Sequence, residues 1–127
     1  MKRSGLAVAV VVLAVGCEAP SRPPTSVSGG VLTATAAEGL LWLRNASSQA
    51  VNYFVLARDA APLIDWVPCA GPTCPAIPAR DSVSKPYSDI AGYSPATTEA
   101  IVYWWHSVSD VPGIYSPDSL RVLLVTL

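Results

Sequence analysis

The chain has 127 residues, of which 51% are hydrophobic and only 13% charged, with 8 basic residues against 9 acidic. Two of the 8, Lys2 and Arg3, stand at the extreme N-terminus, which leaves 6 against 9 for the rest. Charges so few, scattered singly and weakly acidic in sum, argue against nucleic acid as a partner and against electrostatic attachment to anionic lipid.

After Lys2 and Arg3 comes an uninterrupted apolar run, residues 6–15. Ten residues make a helix of about 15 Å, roughly half the hydrocarbon core of a bilayer, too short for an ordinary transmembrane span. A positive start, a short apolar run and small residues before a cut site follow the order of a secretory signal. The run ends in Leu13-Ala14-Val15-Gly16-Cys17, which resembles the lipobox of bacterial lipoproteins, with the leucine one place further out than usual. That resemblance implies that residues 1–16 are a lipoprotein signal peptide, that Cys17 is lipidated, and that a covalent lipid anchor ties the protein to the membrane of the bacterial cell envelope. Each buried methylene contributes about 0.8 kcal/mol; one acyl chain binds reversibly and several hold firmly. Glu18 stands where an aspartate would resemble an inner-membrane retention signal, so the resemblance favours the outer membrane. The competing reading is an ordinary signal cut after Ala19, without lipid.

Residues 17–30 read as the lipidated cysteine followed by a Pro/Ser/Gly linker that is extended and mobile, with Pro20, Pro23, Pro24 and Gly29-Gly30. About a dozen residues at roughly 3 Å each would lift the body tens of Å from the membrane. Residues 31–127 then read as one small domain. Short apolar runs separated by turn residues predict strands at 31–36, 40–44, 51–58, 63–67, 81–87, 100–107 and 120–127, with Pro86 demoting the fifth to an edge. A helical turn is expected at most over 89–93. About seven such strands, without a capped helical period, predict an all-β fold, a single small β-sandwich. Residues 41–51, Leu-Trp-Leu-Arg-Asn-Ala-Ser-Ser-Gln-Ala-Val, resemble the strand-turn-strand opening of bacterial immunoglobulin-like and fibronectin-like modules. The resemblance implies an immunoglobulin-like sandwich and no activity. Asn45-Ala-Ser47 also spells a glycosylation acceptor, which carries little meaning in a bacterial lipoprotein.

With Cys17 lipidated, Cys69 and Cys74 form an even pair in an oxidising compartment, and a disulfide is expected. So short a loop is worth about 2 kcal/mol by closure entropy; its larger role is to shape a loop holding Pro68, Pro72, Pro75 and Pro78. Four residues separate the cysteines where redox motifs have two. Zinc takes four ligands, and the chain holds one histidine. Neither a metal nor another cofactor is expected.

His106 would need a nucleophile and an orienting acid to serve as a base. Asp65, Asp89 and Asp110 are candidates for the acid, but no Gly-x-Ser-x-Gly and no Gly-rich phosphate loop is present. Asp59, Asp65, Asp81 and Asp89 are scattered over loops rather than paired for glycoside chemistry. No enzyme is expected, and a hydrolase using His106 is a distant alternative. The stronger lead is Tyr103, Trp104, Trp105 and His106 on one strand. Trp104 and Trp105 are adjacent and point to opposite faces, so at most one enters the core between the sheets. The other lies under a loop, for which the proline-rich segment is the natural cover, or in an interface, which favours tryptophan and tyrosine. The resulting expectation is a non-catalytic binding or scaffolding module for an envelope protein, using the outer face of strand 100–107. Carbohydrate or cell-wall binding through the same aromatics is the alternative.

Overall fold

The computed structural model describes residues 23–127. Residues 1–16, expected to be a signal peptide, and Cys17, expected to be lipidated, lie outside the described residues. Ten strands follow one another: β1 (Thr25–Ser28), β2 (Leu32–Ala37), β3 (Leu40–Asn45), β4 (Val51–Ala57), β5 (Ala76–Ile77), β6 (Ser82–Pro86), β7 (Glu99–Trp105), β8 (Ser107–Val111), β9 (Ile114–Pro117) and β10 (Arg121–Thr126). Single 3-10 segments follow β4 (Arg58–Leu63) and β6 (Tyr87–Asp89).

Period-two alternation sets the faces. β2 buries Leu32, Ala34 and Ala36 and turns Thr33 and Thr35 outward; β3 buries Leu41, Leu43 and Asn45 and exposes Trp42 and Arg44. The two form a hairpin across Glu38-Gly39, at φ 51° and 79°. Two positive φ values give the turn whose twist matches that of the strands. The first sheet has the order β1-β2-β3-β6 and the second β10-β7-β4-β5, both antiparallel, while β8 and β9 form a separate ribbon. Leu32, Leu41 and Leu43 meet Val55, Val102, Trp104 and Val125 in a single core between the sheets. Each sheet thus buries one face against the other, which defines an all-β sandwich. The chain changes sheet after β3, after β5 and after β6. The short β5 pairs with β4 at the edge of the second sheet.

The structure has ten strands where the sequence suggested seven. β1 falls inside the segment read as linker. Its Val27 packs against the core, and the Thr25 hydroxyl donates to the Thr126 carbonyl, bringing the edges of the two sheets together. Residues 25–28, expected to belong to a mobile linker, are instead paired within the first sheet. Residues 63–67 are not a strand. Pro62 sits in the preceding 3-10 segment, and residues 64–70 cross the second sheet instead of pairing with it. The helical turn lies at Tyr87–Asp89, two residues before the expected start. The 100–107 strand ends at Trp105, and Ser107 begins the ribbon, which reverses at Pro112-Gly113 (Gly113 φ 81°). Proline followed by a positive-φ glycine is the signature of a type II turn.

Asn45 is fully buried. Its Nδ2 donates to the carbonyls of Gln49, Ile77 and Pro78 at 2.7, 3.1 and 3.2 Å, and its Oδ1 accepts from the Ser47 N–H and hydroxyl at 2.9 and 2.7 Å. One amide thereby ties the β3–β4 corner in the first sheet to the β5 region of the second. The Asn45-Ala-Ser47 sequence is a structural clamp, and its side chain is inaccessible to a glycosyl donor.

Candidate functional site

The outward side chains of the second sheet come from its three long strands. Register sets Asn52 beside Trp105, Tyr103 between Phe54 and Val122, and Ile101 between Leu56 and Leu124. The segment after β4 crosses this face. Its Trp66 ring lies 4.7 Å from Phe54, 4.7 Å from Tyr103 and 5.9 Å from Trp105. Offset and tilted rings at such distances are the favoured aromatic arrangements. Cys69 and Cys74 are joined by a disulfide, with their Cα atoms 5.7 Å apart. The loop they close is pinned over Trp105, whose Nε1 donates to the Cys69 carbonyl at 3.0 Å. The Gly71 N–H donates to Ser107 Oγ (2.9 Å), Ser107 Oγ donates to Asn52 Oδ1 (2.6 Å), and Asn52 Nδ2 donates to the Pro75 carbonyl (3.1 Å). The ribbon leans on the same loop: a Cβ at Gly71 would come within 3.4 Å of the Tyr115 ring.

Trp104 points the other way. It is 3% exposed within the sandwich core, and the Arg121 guanidinium lies 4.7 Å over its ring, a cation–π contact. His106 meets the same ring edge-on at 6.1 Å. Asp118 Oδ1 accepts from the His106 backbone N–H at 2.7 Å, Asp118 Oδ2 lies 3.2 Å from His106 Nδ1, and Arg121 Nη1 is 3.4 Å from the carboxylate. The Asp118 N–H donates back to the His106 carbonyl at 2.9 Å. His106 precedes β8 and Asp118 follows β9, so this exchange closes the base of the ribbon. The acid beside His106 is Asp118, not Asp65, Asp89 or Asp110.

Burial works to raise the Asp118 pKa. The His106 backbone N–H, the His106 ring and the Arg121 charge outweigh it and hold the carboxyl below its ordinary value. A carboxylate lowered in this way stabilises the fold above its unfolded pKa of about 3.9, and the contribution is lost as pH falls through the lower folded value. Asp118→Asn is therefore expected to be less stable than the parent in urea at pH 7, with the gap closing as the pH falls below the ordinary carboxyl range and Asp118 takes up its proton. An equal gap at neutral and acid pH would show that the charge plays no part.

The four residues Tyr103, Trp104, Trp105 and His106 thus do not form one exposed patch. Alternation sends Trp104 and His106 to one side, while the cover takes Trp105, 2% exposed, and half-buries Tyr103. What remains open on the outer face is aliphatic. Leu120, Val122 and Leu124, in and just before β10, are 45%, 56% and 42% exposed. Leu63 and Val67 on the cover and Val108, Val111, Ile114 and Tyr115 on the ribbon are exposed as well; among the described residues the other large exposed hydrophobic is Trp42, on the first sheet. The alternation Leu120-x-Val122-x-Leu124 was present in the sequence, but 120–125 is apolar on both faces and does not say which face is open. Among the described residues no cluster of His, Cys, Asp and Glu could hold a metal ion, and no helix is long and apolar enough to cross a membrane.

Comparison with known proteins found no matching family model, no matching curated protein and no matching solved structure.

Proposed function

We propose that the protein is a lipid-anchored, non-catalytic module of the bacterial cell envelope that binds a protein partner through the outer face of its second sheet. The lipobox resemblance at Cys17 supports the anchor, and Glu18 supports the outer membrane over the inner. An intact mass of residues 17–127 plus acyl groups tests this part; a lipid-free chain beginning after Ala19 would overturn it.

The row Leu120, Val122 and Leu124, open beside the half-covered Tyr103, is the observation that carries the binding reading. Branched aliphatic side chains offer no hydrogen bonds to sugar hydroxyls, so the chemistry favours an apolar protein surface. A photo-crosslinking residue at position 122 in cells is expected to trap one discrete protein. The same residue at Ser84, on the outer face of the first sheet, is expected to trap none, and Leu124→Ser is expected to reduce the adduct without unfolding the domain, since exposed substitutions usually change stability by within about 0.5 kcal/mol. Equal adducts at both positions, or an adduct indifferent to Leu124→Ser, would sink the assignment.

The carbohydrate reading has one observation of its own. Half-exposed Trp42 stands between Thr35 and Ser84 on the first sheet, an aromatic platform flanked by hydroxyls. Peptidoglycan binding abolished by Trp42→Ala would favour it.

A further inference from the structure

An open sheet edge is a row of unpaired N–H and C=O groups, a template for a further strand. The two sheets of the sandwich leave little of it. β1 lies along β10: the Thr25 hydroxyl donates to the Thr126 carbonyl at one end, and at the other a Cβ on Gly29 would come within 2.8 Å of the Leu123 side chain. The far edge of the second sheet is closed by the two residues of β5 and by Ala91. There the Ala57 N–H donates to the Ala91 carbonyl at 2.8 Å and the Ala91 N–H to the Val55 carbonyl at 3.3 Å. The outer edge of β6 remains, with no strand beside it among the described residues.

Register fixes what that edge presents. The Asn45 N–H donates to the Asp81 carbonyl and the Tyr87 N–H to the Gly39 carbonyl, each at 2.9 Å. Hydrogen-bonded pairs alternate along an antiparallel ladder. Val83 and Lys85 therefore turn their backbone groups to β3, while Ser82, Ser84 and Pro86 turn theirs outward. The Ser82 N–H is taken by Asp81 Oδ1 at 2.7 Å, and proline has no N–H. Ser84 is left as the one open donor. Lys85 stands directly opposite Leu41, so its side chain leaves the inner face of the sheet, beside the core. It is half-buried and has neither an ion-pair nor a hydrogen-bond partner among the described residues. A lysine so placed reaches water around the open edge. A strand added there would lie across its path and bury the charge.

We infer that the outer edge of β6 is where two copies of this chain would join, and that Asp81, Lys85 and Pro86 hold it shut. Closed pairing with a second copy requires a twofold axis, and an axis at Ser84 uses the whole strand. Ser82 would then stand opposite the other copy's Pro86, and Val83 opposite its Lys85. The carboxylate of Asp81 and the proline ring remove the bonds at both ends, which leaves those at Ser84. Both ammonium groups would be trapped on the inner face. This edge belongs to the first sheet and is independent of the protein-binding face on the second.

The test compares the full parent chain in neutral detergent with a variant carrying Asp81→Ala, Lys85→Thr and Pro86→Thr. Light scattering, corrected for bound detergent, is expected to give the variant twice the protein mass of the parent. Ser84→Val makes the outer face of the same strand more apolar and leaves the edge shut, so it is expected to keep the parent's mass. A triple variant with the parent's mass, or Ser84→Val pairing as the triple variant does, would overturn the inference. Hydrogen exchange on the parent decides the matter even where the triple variant fails to fold. The Ser84 amide is expected to exchange much faster than those of Val83 and Lys85, which bond to β3, and Asp81→Ala to speed exchange at Ser82. Ser84 protected as well as Val83 would show the edge already occupied and would equally overturn the inference.

Discussion

Trp105→Ala is expected to lower the unfolding free energy by about 3–5 kcal/mol, the range for truncating a buried aromatic, and to release the segment that covers the second sheet. The indole is the post on which Trp66 stacks and to which the Cys69 carbonyl bonds. Without it the disulfide loop loses its floor, and Trp66 should become accessible to quenchers. Trp104→Ala is expected to cost a similar amount but to leave Trp66 protected, because Trp104 packs between the sheets. A finer comparison separates the two. Trp104 Nε1 has no hydrogen-bond partner among the described residues, whereas Trp105 Nε1 has one. Phenylalanine should therefore be tolerated better at 104 than at 105, by the roughly 1 kcal/mol of a net hydrogen bond and the further penalty of an orphaned carbonyl. Equal losses for the two phenylalanine variants in urea, or Trp66 unchanged in Trp105→Ala, would refute the assignment of the cover.

The second large effect is expected at Asn45. Asn45→Leu keeps the volume but removes every polar contact of the side chain. The carbonyls of Gln49, Ile77 and Pro78 and the N–H of Ser47 then lose their bonds to it. An unpaired buried group costs about 1–3 kcal/mol; with water reaching part of the corner, the total is expected to be about 3–5 kcal/mol. A domain of this size has a total stability of roughly 5–15 kcal/mol, so the variant should sit near its folding threshold. The melting temperature is expected to fall by roughly 15–30 °C. Urea unfolding should show a lower midpoint at an unchanged slope, the mark of a stability change without a change in surface exposed. A loss below about 1 kcal/mol would mean that water replaces the amide and that Asn45 does not clamp the sheets.

Local pattern made the long strands legible. Residues 40–44, 51–58 and 120–127 alternate or run apolar between turn residues, and β3, β4 and β10 form there. β1 was hidden because Thr25-Ser-Val-Ser28 follows two prolines and reads as polar linker; Val27 becomes apolar core only once β2 is alongside. The ribbon was hidden because Ser109, Asp110, Pro112 and Gly113 read as loop, and its base is held by Asp118, twelve residues from His106. The 63–67 run misled because its apolar residues cover a face built by β4 and β7 rather than extending a ladder.

The chain alone carried the period-two patterning, the close spacing of Cys69 and Cys74 and the opposed directions of Trp104 and Trp105, because these depend on backbone geometry over a few residues. Which tryptophan entered the core, which acid met His106 and which apolar row stayed open depended on contacts between segments far apart in the chain, as far as β2 is from β7 and β10. No local pattern encodes such contacts, since they arise only when two sheets, a cover and a ribbon compete for the same apolar faces.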